Sequence, residues 1–199
     1  EASIPHIGDA KSEATATYRF FANPAVTVDA ILQPHRLRTA QRAAEHPLIL
    51  VAQDTTEINL TTHNDTAGLG YLSDPQSHGL LLHNLLCISP AGVPLGVLDQ
   101  RAWVRPKDER GKRKTRNQRL TQDKESQRWL DGLASVEQHL ADHPHVVLVS
   151  DRESDIYDLF VAPRAANVDL LVRVRDRKRR VEHPAKHLGA AVANSPAKV

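Results

Sequence analysis

The sequence predicts an α/β fold, in which a mixed β-sheet with flanking helices follows a short helical segment. Short continuous apolar runs, which are typical of buried strands, alternate with helical periodicity in the second half of the chain. Earlier, two strand-like runs are joined by the turn signal Ser89-Pro90-Ala91-Gly92, as in antiparallel strands. The composition, 40% apolar and 25% charged over 199 residues, is that of a globular protein of about one domain.

The first segment, residues 1–46, is predicted to be helical. An opening helix has few breakers and is followed by Thr27, which can cap a short second helix. Pro34 suits the first turn of a third helix. Pro47 then marks the boundary with the rest of the chain, residues 47–199, where the apolar runs begin.

The second segment is predicted to contain strands, with two helices inserted between the later ones. The longer helix is predicted because Trp129, Leu133 and Val136 recur at i, i+4 and i+7, on one helical face. In chain order the predicted elements are strands at 48–52, 79–88 and 93–104, a helix at 121–143, a strand at 146–149, a short helix at 156–160 and a strand at 170–174. This β-β-β-α-β-α-β order is that of ribonuclease-H-like folds.

Two aspartates follow apolar runs at the polar ends of predicted strands, Asp54 after the first and Asp151 after the fourth. If these strands are neighbours, both carboxylates meet at one sheet edge, where open α/β sheets bind ligands. Carboxylates this close need a cation between them, and Mg²⁺ is the hard ion that such oxygens bind. Paired metal ions can then stabilise a phosphodiester displacement. Each aspartate by itself is also typical of a turn or a helix cap.

Charge is unevenly distributed along the chain, although the net charge is only +2. Residues 101–119 carry a local charge of +7 and residues 173–187 a local charge of +5, so the remainder carries −10. Arg outnumbers Lys by 18 to 8, and arginine suits bidentate contacts with phosphate. The pattern predicts a polyanion site on an acidic protein, although the first basic segment alone is equally typical of a solvated loop.

An ordered set of short motifs carries a family resemblance. The motifs are Tyr18-Arg19-Phe20-Phe21, Gln53-Asp54-Thr55-Thr56, Gly68-Leu69-Gly70, Gly79-Leu80-Leu81-Leu82-His83, Val93-Pro94-Leu95-Gly96-Val97-Leu98, Trp103 with Arg105, Lys124-Glu125-Ser126 with Trp129-Leu130, Asp151-Arg152-Glu153-Ser154-Asp155-Ile156-Tyr157 and Leu170-Leu171-Val172-Arg173. Taken together, they resemble the DDE-type transposases of bacterial insertion sequences, specifically the IS-four / Tn-five-like group.

The resemblance implies a cut-and-paste DNA transposase with a ribonuclease-H-like core at 47–199, and a helical remainder of a DNA-binding region at 1–46. Asp54 and Asp151 match the first two catalytic aspartates, which would bind Mg²⁺ or Mn²⁺. The expected partners are double-stranded DNA and, in the full-length family, a second subunit, with no membrane; the expected location is the bacterial cytoplasm and nucleoid. The residues expected to contact DNA are Arg19, Arg105, Lys112, Arg113, Lys114, Arg152, Arg173 and Arg175.

The family's third carboxylate is not found in the sequence. That glutamate belongs to a Tyr…Arg…Glu…Lys motif, which the residues after Asp151 do not contain. Because the chain also has no methionine to start on, we expect a piece of a longer transposase that is catalytically incomplete alone. The alternative is a non-catalytic protein that binds DNA or sequesters transposase subunits.

Other site types have less support in the sequence. The single cysteine, Cys87, excludes an internal disulfide and fits a reducing compartment. No apolar run reaches the length of a membrane helix. Histidines at helical spacing, His139 with His143, lack the partners of a zinc motif. His83 lies in an apolar strand and is predicted to be a hydrogen-bonded core or rim residue.

Overall fold

The computed structural model describes residues 11–63, 65–74, 76–106, 122 and 124–195. Over these residues the protein is α/β, with one mixed sheet of six strands and flanking helices, as predicted. The helices are α1 (Lys11–Ala22), α2 (Val28–Ala43), α3 (Gln127–His139), α4 (Tyr157–Val161) and α5 (Leu188–Ala193). The strands are β1 (Ile49–Asn59), β2 (Gly70–Tyr71), β3 (His78–Ile88), β4 (Pro94–Trp103), β5 (Val146–Ser150) and β6 (Val168–Val172).

Strand β1 lies in the middle of the sheet. On one side β3 pairs with it antiparallel, and β4 pairs antiparallel with the far edge of β3. On the other side β5 runs parallel to β1, and β6 runs parallel to β5. Strand β2 pairs with the beginning of β3 at Gly79 and His78. The sheet therefore combines an antiparallel half with a parallel half, joined at β1.

One face of the sheet, here called the packed face, carries the core. Val51 of β1 is paired with Cys87 of β3 and with Leu148 of β5, and all three side chains are buried. Helix α3 packs its apolar stripe on them, with Trp129 1% exposed. This burial of aliphatic area supplies most of the stabilisation of the fold.

The opposite face, here called the open face, has no fully buried aliphatic side chain on strands β1, β3, β5 and β6. The strand residues alternate, so this face holds every second residue of each strand. Its aliphatic residues are half-buried, apart from Leu171, which is 58% exposed. They are Leu50, Ala52, Ile58, Leu80, Leu82, Leu86, Ile88, Val147, Val149 and Leu171.

The structure corrects the prediction of two short helices before residue 46. Helix α2 is continuous through Pro34, which lies in its interior. A proline there removes one backbone hydrogen bond and costs helix stability. Contacts with β4 offset this cost, because Arg36 bonds the carboxylate of Asp99 at 2.6 Å and Thr39 donates to the carbonyl of Val97 at 3.1 Å. Thr27 caps the helix as predicted, accepting from the amide of Ala30.

Several predicted boundaries also differ from the structure. Strand β1 does not end at Ala52 but continues to Asn59, because β3 pairs with it along this whole length. The predicted helix at 121–143 is ordered as α3 only from Gln127 to His139. Strand β2 and helix α5 were not predicted, since two and six residues are too few for a periodic signal.

Two further observations concern the cysteine and the helices. Cys87 is a free thiol on the packed face, and its burial raises its pKa to about 12. Helices long and apolar enough to cross a membrane are absent from the described part of the chain.

Candidate active site

The two predicted aspartates lie side by side where the parallel half of the sheet ends. The parallel strands are last in register at Gln53, Ser150 and Val172. The next residue of each strand lies on the opposite face, and these residues are Asp54, Asp151 and Arg173. Neighbouring strands are about 4.8 Å apart, so the two carboxylates and the arginine form a row on the open face. An amide of Arg173 donates to the carbonyl of Ser150 at 3.0 Å and fixes the end of this row.

Two amide side chains extend the row into the antiparallel half. Asn84 of β3 is paired directly with Asp54, and Gln100 of β4 is paired with Asn84. The Nε2 of Gln100 donates to the Oδ1 of Asn84 at 2.7 Å. The polar row therefore consists of Gln100, Asn84, Asp54, Asp151 and Arg173, one residue from each of five adjacent strands.

The two carboxylates differ in their local surroundings. Asp54 is exposed and lies within β1, so it is not at a strand end as predicted, but it is the first residue beyond the pairing with β5. The side chain of Asp54 forms no hydrogen bond or ion pair with another described residue. Asp151 is half-buried, and its Oδ1 accepts from the amide of Glu153 at 2.8 Å, which caps a short 3-10 turn. The capping role considered from the sequence is thus present, and it leaves Oδ2 for a ligand.

The donor set fits a hard divalent cation held by few protein ligands. Mg²⁺ commonly binds through one or two carboxylates together with water and phosphate oxygens. Asp54 and Asp151 supply such a pair. No cluster of three or more His, Cys, Asp or Glu side chains suited to a metal occurs among the residues described here. His143, considered above for zinc, is buried and bonds the carbonyl of Ala43 at 3.1 Å.

A half-buried arginine, Arg128 at the start of α3, joins the segments that carry the two aspartates. Its Nε donates to the hydroxyl of Thr55 at 2.8 Å, and its Nη2 donates to the carboxylate of Glu153 at 2.7 Å. Its Nη1 donates to the carbonyl of Glu125 at 2.8 Å. The guanidinium also lies 4.9 Å from the ring centre of Trp129. Burial lowers the pKa of Arg128, although nearby Glu153 and Glu125 favour its charged form.

His83 continues this hydrogen-bonded chain into the core, as its apolar strand predicts. Its Nδ1 lies 2.9 Å from the Thr55 hydroxyl and its Nε2 lies 3.3 Å from the Oε1 of Gln53. Since Arg128 donates to the Thr55 oxygen, we assign the hydroxyl proton to His83 Nδ1 and the ring proton to Nε2. Burial, with the charges of Arg128 and Arg101, lowers the pKa of His83 to about 4.

Arg105, one of the predicted DNA contacts, is occupied by internal ion pairs. It donates to both oxygens of Glu125, at 2.5 and 3.0 Å, and to Glu57 at 3.1 Å. Its side chain is 18% exposed. The hydrogen bond from Arg105 lowers the pKa of Glu125 even though burial opposes this, so the pair is ionic. In the structure Arg105 therefore ties the end of β4 to the start of α3.

The segment 173–187, here called the basic arm, is held in shape by a buried carboxylate. Asp155, whose side chain is 1% exposed, pairs with Arg179 at 2.7 Å. The same carboxylate accepts from the backbone amide of Arg175 at 2.8 Å. Arg179 also lies 5.4 Å from the ring centre of Phe160 on α4. The exposed cations of the arm are Arg173, Arg175, Arg177, Lys178, Arg180 and Lys186.

The remaining predicted DNA contacts are distributed over three places. Arg152 is exposed in the 3-10 turn directly after Asp151. Arg19 is exposed on α1, a helix that buries none of its residues, and bonds no other site residue within the described ranges. Lys112, Arg113 and Lys114 lie outside the described residues.

No protein-family profile matches the chain. The function of this protein is therefore inferred from the geometry of the candidate site.

Sequence reasoning missed the side chains that support the carboxylates. Arg128, Asn84 and Gln100 were not predicted as site residues, and Asp155 appeared only within a motif. One signal was available for Arg128, namely a cation beside Trp129 at the polar start of an amphipathic helix. Asn84 is a polar residue between the apolar residues Leu82 and Leu86 on one face of β3, which could have indicated a site on that face, whereas Gln100 lies between Asp99 and Arg101 and gave no such signal.

Proposed function

We propose that this chain is the ribonuclease-H-like portion of a DDE-type DNA transposase, and that Asp54 and Asp151 form part of its metal-dependent phosphodiester site. The observation that carries the proposal is that Asp54, Asp151 and Arg173 each directly follow the last paired residue of three adjacent parallel strands. Two carboxylates and an exposed arginine, a side chain suited to binding phosphate, are therefore close to one another in the fold. The order of strands and helices supports the same fold assignment.

In this proposal the two aspartates would hold Mg²⁺ or Mn²⁺ through their carboxylate oxygens. When bound, the ion would activate water and then a 3′-hydroxyl for attack on a DNA phosphodiester. Arg173 would bind a phosphate adjacent to the carboxylates, since its guanidinium offers several donors in a planar fork. Arg152 and Arg175 would add contacts on either side, because both are exposed next to the row.

The basic arm would extend the proposed DNA-binding surface beyond the polar row. It begins at Arg173, directly after β6, so that its exposed cations follow the last residue of the row in the chain. Asp155 anchors this arm to the turn that follows Asp151, through the amide of Arg175 and the guanidinium of Arg179. Arg105 supports the site through its ion pairs rather than through DNA. The proposal implies a bacterial cytoplasmic or nucleoid location.

Mn²⁺ binding, followed by electron paramagnetic resonance, tests the carboxylate pair. We expect Asp54→Asn and Asp151→Asn each to weaken binding at least about tenfold, because a hard cation loses one of its few protein ligands. Asp142→Asn is the matched control, since Asp142 is an exposed aspartate in the turn before β5. Equal affinity in all three variants and the wild type would contradict the metal site.

Duplex DNA binding at several salt concentrations tests the second half of the proposal. Arg173→Ala should lower the affinity and reduce the dependence of log affinity on log salt by about one unit, as expected for one lost phosphate contact. Arg164→Ala is the control, since Arg164 is exposed after α4 and outside the basic arm. If the protein binds DNA but neither Asp54→Asn nor Asp151→Asn changes its Mn²⁺ affinity, the result would favour the alternative of a non-catalytic protein that binds DNA or sequesters transposase subunits.

A further inference from the structure

We propose that Arg128 is a positioning residue, which sets the separation and orientation of the two carboxylate-bearing segments. The inference rests on the proposed function, because it assigns Arg128 a role at the same site. The ladder between β1 and β5 ends at Gln53 and Ser150, so Asp151 lies beyond it, whereas Asp54 stays paired with Asn84 of β3. The ladder between β1 and β5 therefore does not fix the separation of the two carboxylates, and contacts of the segment that carries Asp151 must contribute to it.

Arg128 supplies these contacts from a single planar group. One edge of the guanidinium bonds Thr55, the residue after Asp54. The Nη2 on the same edge bonds the side chain of Glu153, whose own amide donates to Asp151. The third bond, to the carbonyl of Glu125, fixes the guanidinium to the start of α3. Arg128 thus bonds the residue that follows Asp54 in the chain, and it also bonds the residue whose amide donates to Asp151.

The surroundings of Arg128 make its position rigid. Its side chain is 13% exposed, and it lies over Trp129 at 4.9 Å and beside Trp103 at 6.0 Å. Glu153, by contrast, is 62% exposed. Arg128, which is itself held by these contacts, therefore orients the exposed Glu153 and with it the turn that presents Asp151. Lysine cannot replace it, because an ammonium lacks the planar fork that reaches three elements.

A second arginine provides a matched control in the same chain. Arg36 is 15% exposed and bridges two carboxylates, Asp29 and Asp99, on α2 and β4. It resembles Arg128 in burial and in ion pairing, but its partners belong to neither aspartate-bearing segment. Loss of Arg36 therefore reports what a half-buried arginine contributes to the fold alone.

The test measures Mn²⁺ affinity in the full chain, at a temperature where circular dichroism shows each variant folded. We expect Arg128→Ala and Arg128→Lys to weaken Mn²⁺ binding about tenfold, a typical effect of removing a group that orients metal ligands. Arg36→Ala should remain within about twofold of the wild type. Wild-type affinity in Arg128→Ala would overturn the inference.

A conservative pair at Thr55 keeps the test decisive if Arg128→Ala does not fold. Thr55→Ser retains the hydroxyl that accepts from Arg128, whereas Thr55→Val removes it at nearly constant shape. We expect Thr55→Ser to keep the wild-type Mn²⁺ affinity and Thr55→Val to lose several-fold. Equal affinities in the two Thr55 variants would contradict the positioning role.

The amide resonance of Glu153 separates failure of this inference from failure of the proposed function. Its chemical shift reports the hydrogen bond to Asp151 without any metal. If Asp54→Asn leaves Mn²⁺ binding unchanged, the proposed metal site fails. The positioning role still stands in that case if Thr55→Val, but not Thr55→Ser or Arg36→Ala, moves this resonance, and it fails if the resonance does not move.

Discussion

The two faces of the sheet use the same strands for different purposes. On the packed face, Leu85 of β3 is 2% exposed and lies among core side chains. On the open face, its neighbour Leu86 is half-buried, and Asn84 belongs to the polar row. Adjacent residues of one strand therefore differ in role because the side-chain direction alternates along a strand. The packed face determines stability, and the open face leaves exposed the residues proposed for chemistry.

The largest expected difference between the two faces is in how much the free energy of unfolding falls when a leucine on each face is replaced by alanine. Leu85→Ala should lower the free energy of unfolding by about 3 kcal/mol, because it leaves a cavity in the core. Leu86→Ala should cost about 1 kcal/mol or less, because part of that side chain remains in contact with solvent. Urea denaturation of both variants measures the difference. Similar losses would show that the open face is covered in solution.

A second prediction concerns the packed face, where the buried His83 makes the stability of the protein depend on pH. Its pKa in the folded protein is about 4, below its usual value of 6.5. Between these values the unfolded chain binds a proton that the folded chain does not, so stability falls as the pH drops through this window. From pH 7 to pH 5 we expect a loss of about 2 kcal/mol from this group. The loss should be absent in His83→Gln, measured by urea denaturation at each pH.

The smallest expected effect concerns the contact of α3 with the packed face. Gly132 has no side chain, and a Cβ at this position would overlap the Oε1 of Gln53. Gly132→Ala should therefore lower the free energy of unfolding by about 1.5 kcal/mol through overpacking, although alanine favours helices. Ala134, exposed on the same helix, is the control, since Ala134→Gly should be destabilising by propensity alone. A stabilising Gly132→Ala would mean that α3 is not tightly packed there.

The sequence predicted the parts of the fold that depend on local patterning. The apolar runs of β3, β4 and β5 and the helical stripe of α3 lie close to their predicted positions. Boundaries were wrong where pairing partners decided them, since β1 is extended beyond Ala52 by its ladder with β3. Helix α2 passes through Pro34 because contacts with β4 outweigh the local preference for a break.

The candidate site likewise contains residues that the sequence predicted and residues that only the structure revealed. The sequence alone identified the two aspartates and the basic segment 173–187 as candidate site residues, because each follows an apolar run that predicts a buried strand. Only the tertiary structure showed that Asp54, Asp151 and Arg173 occupy equivalent positions on adjacent strands. It also decided that Arg105 is used internally and that Arg128 joins both aspartate-bearing segments. The physical reason is that strand register and long-range ion pairs depend on residues far apart in the chain, which no local pattern encodes.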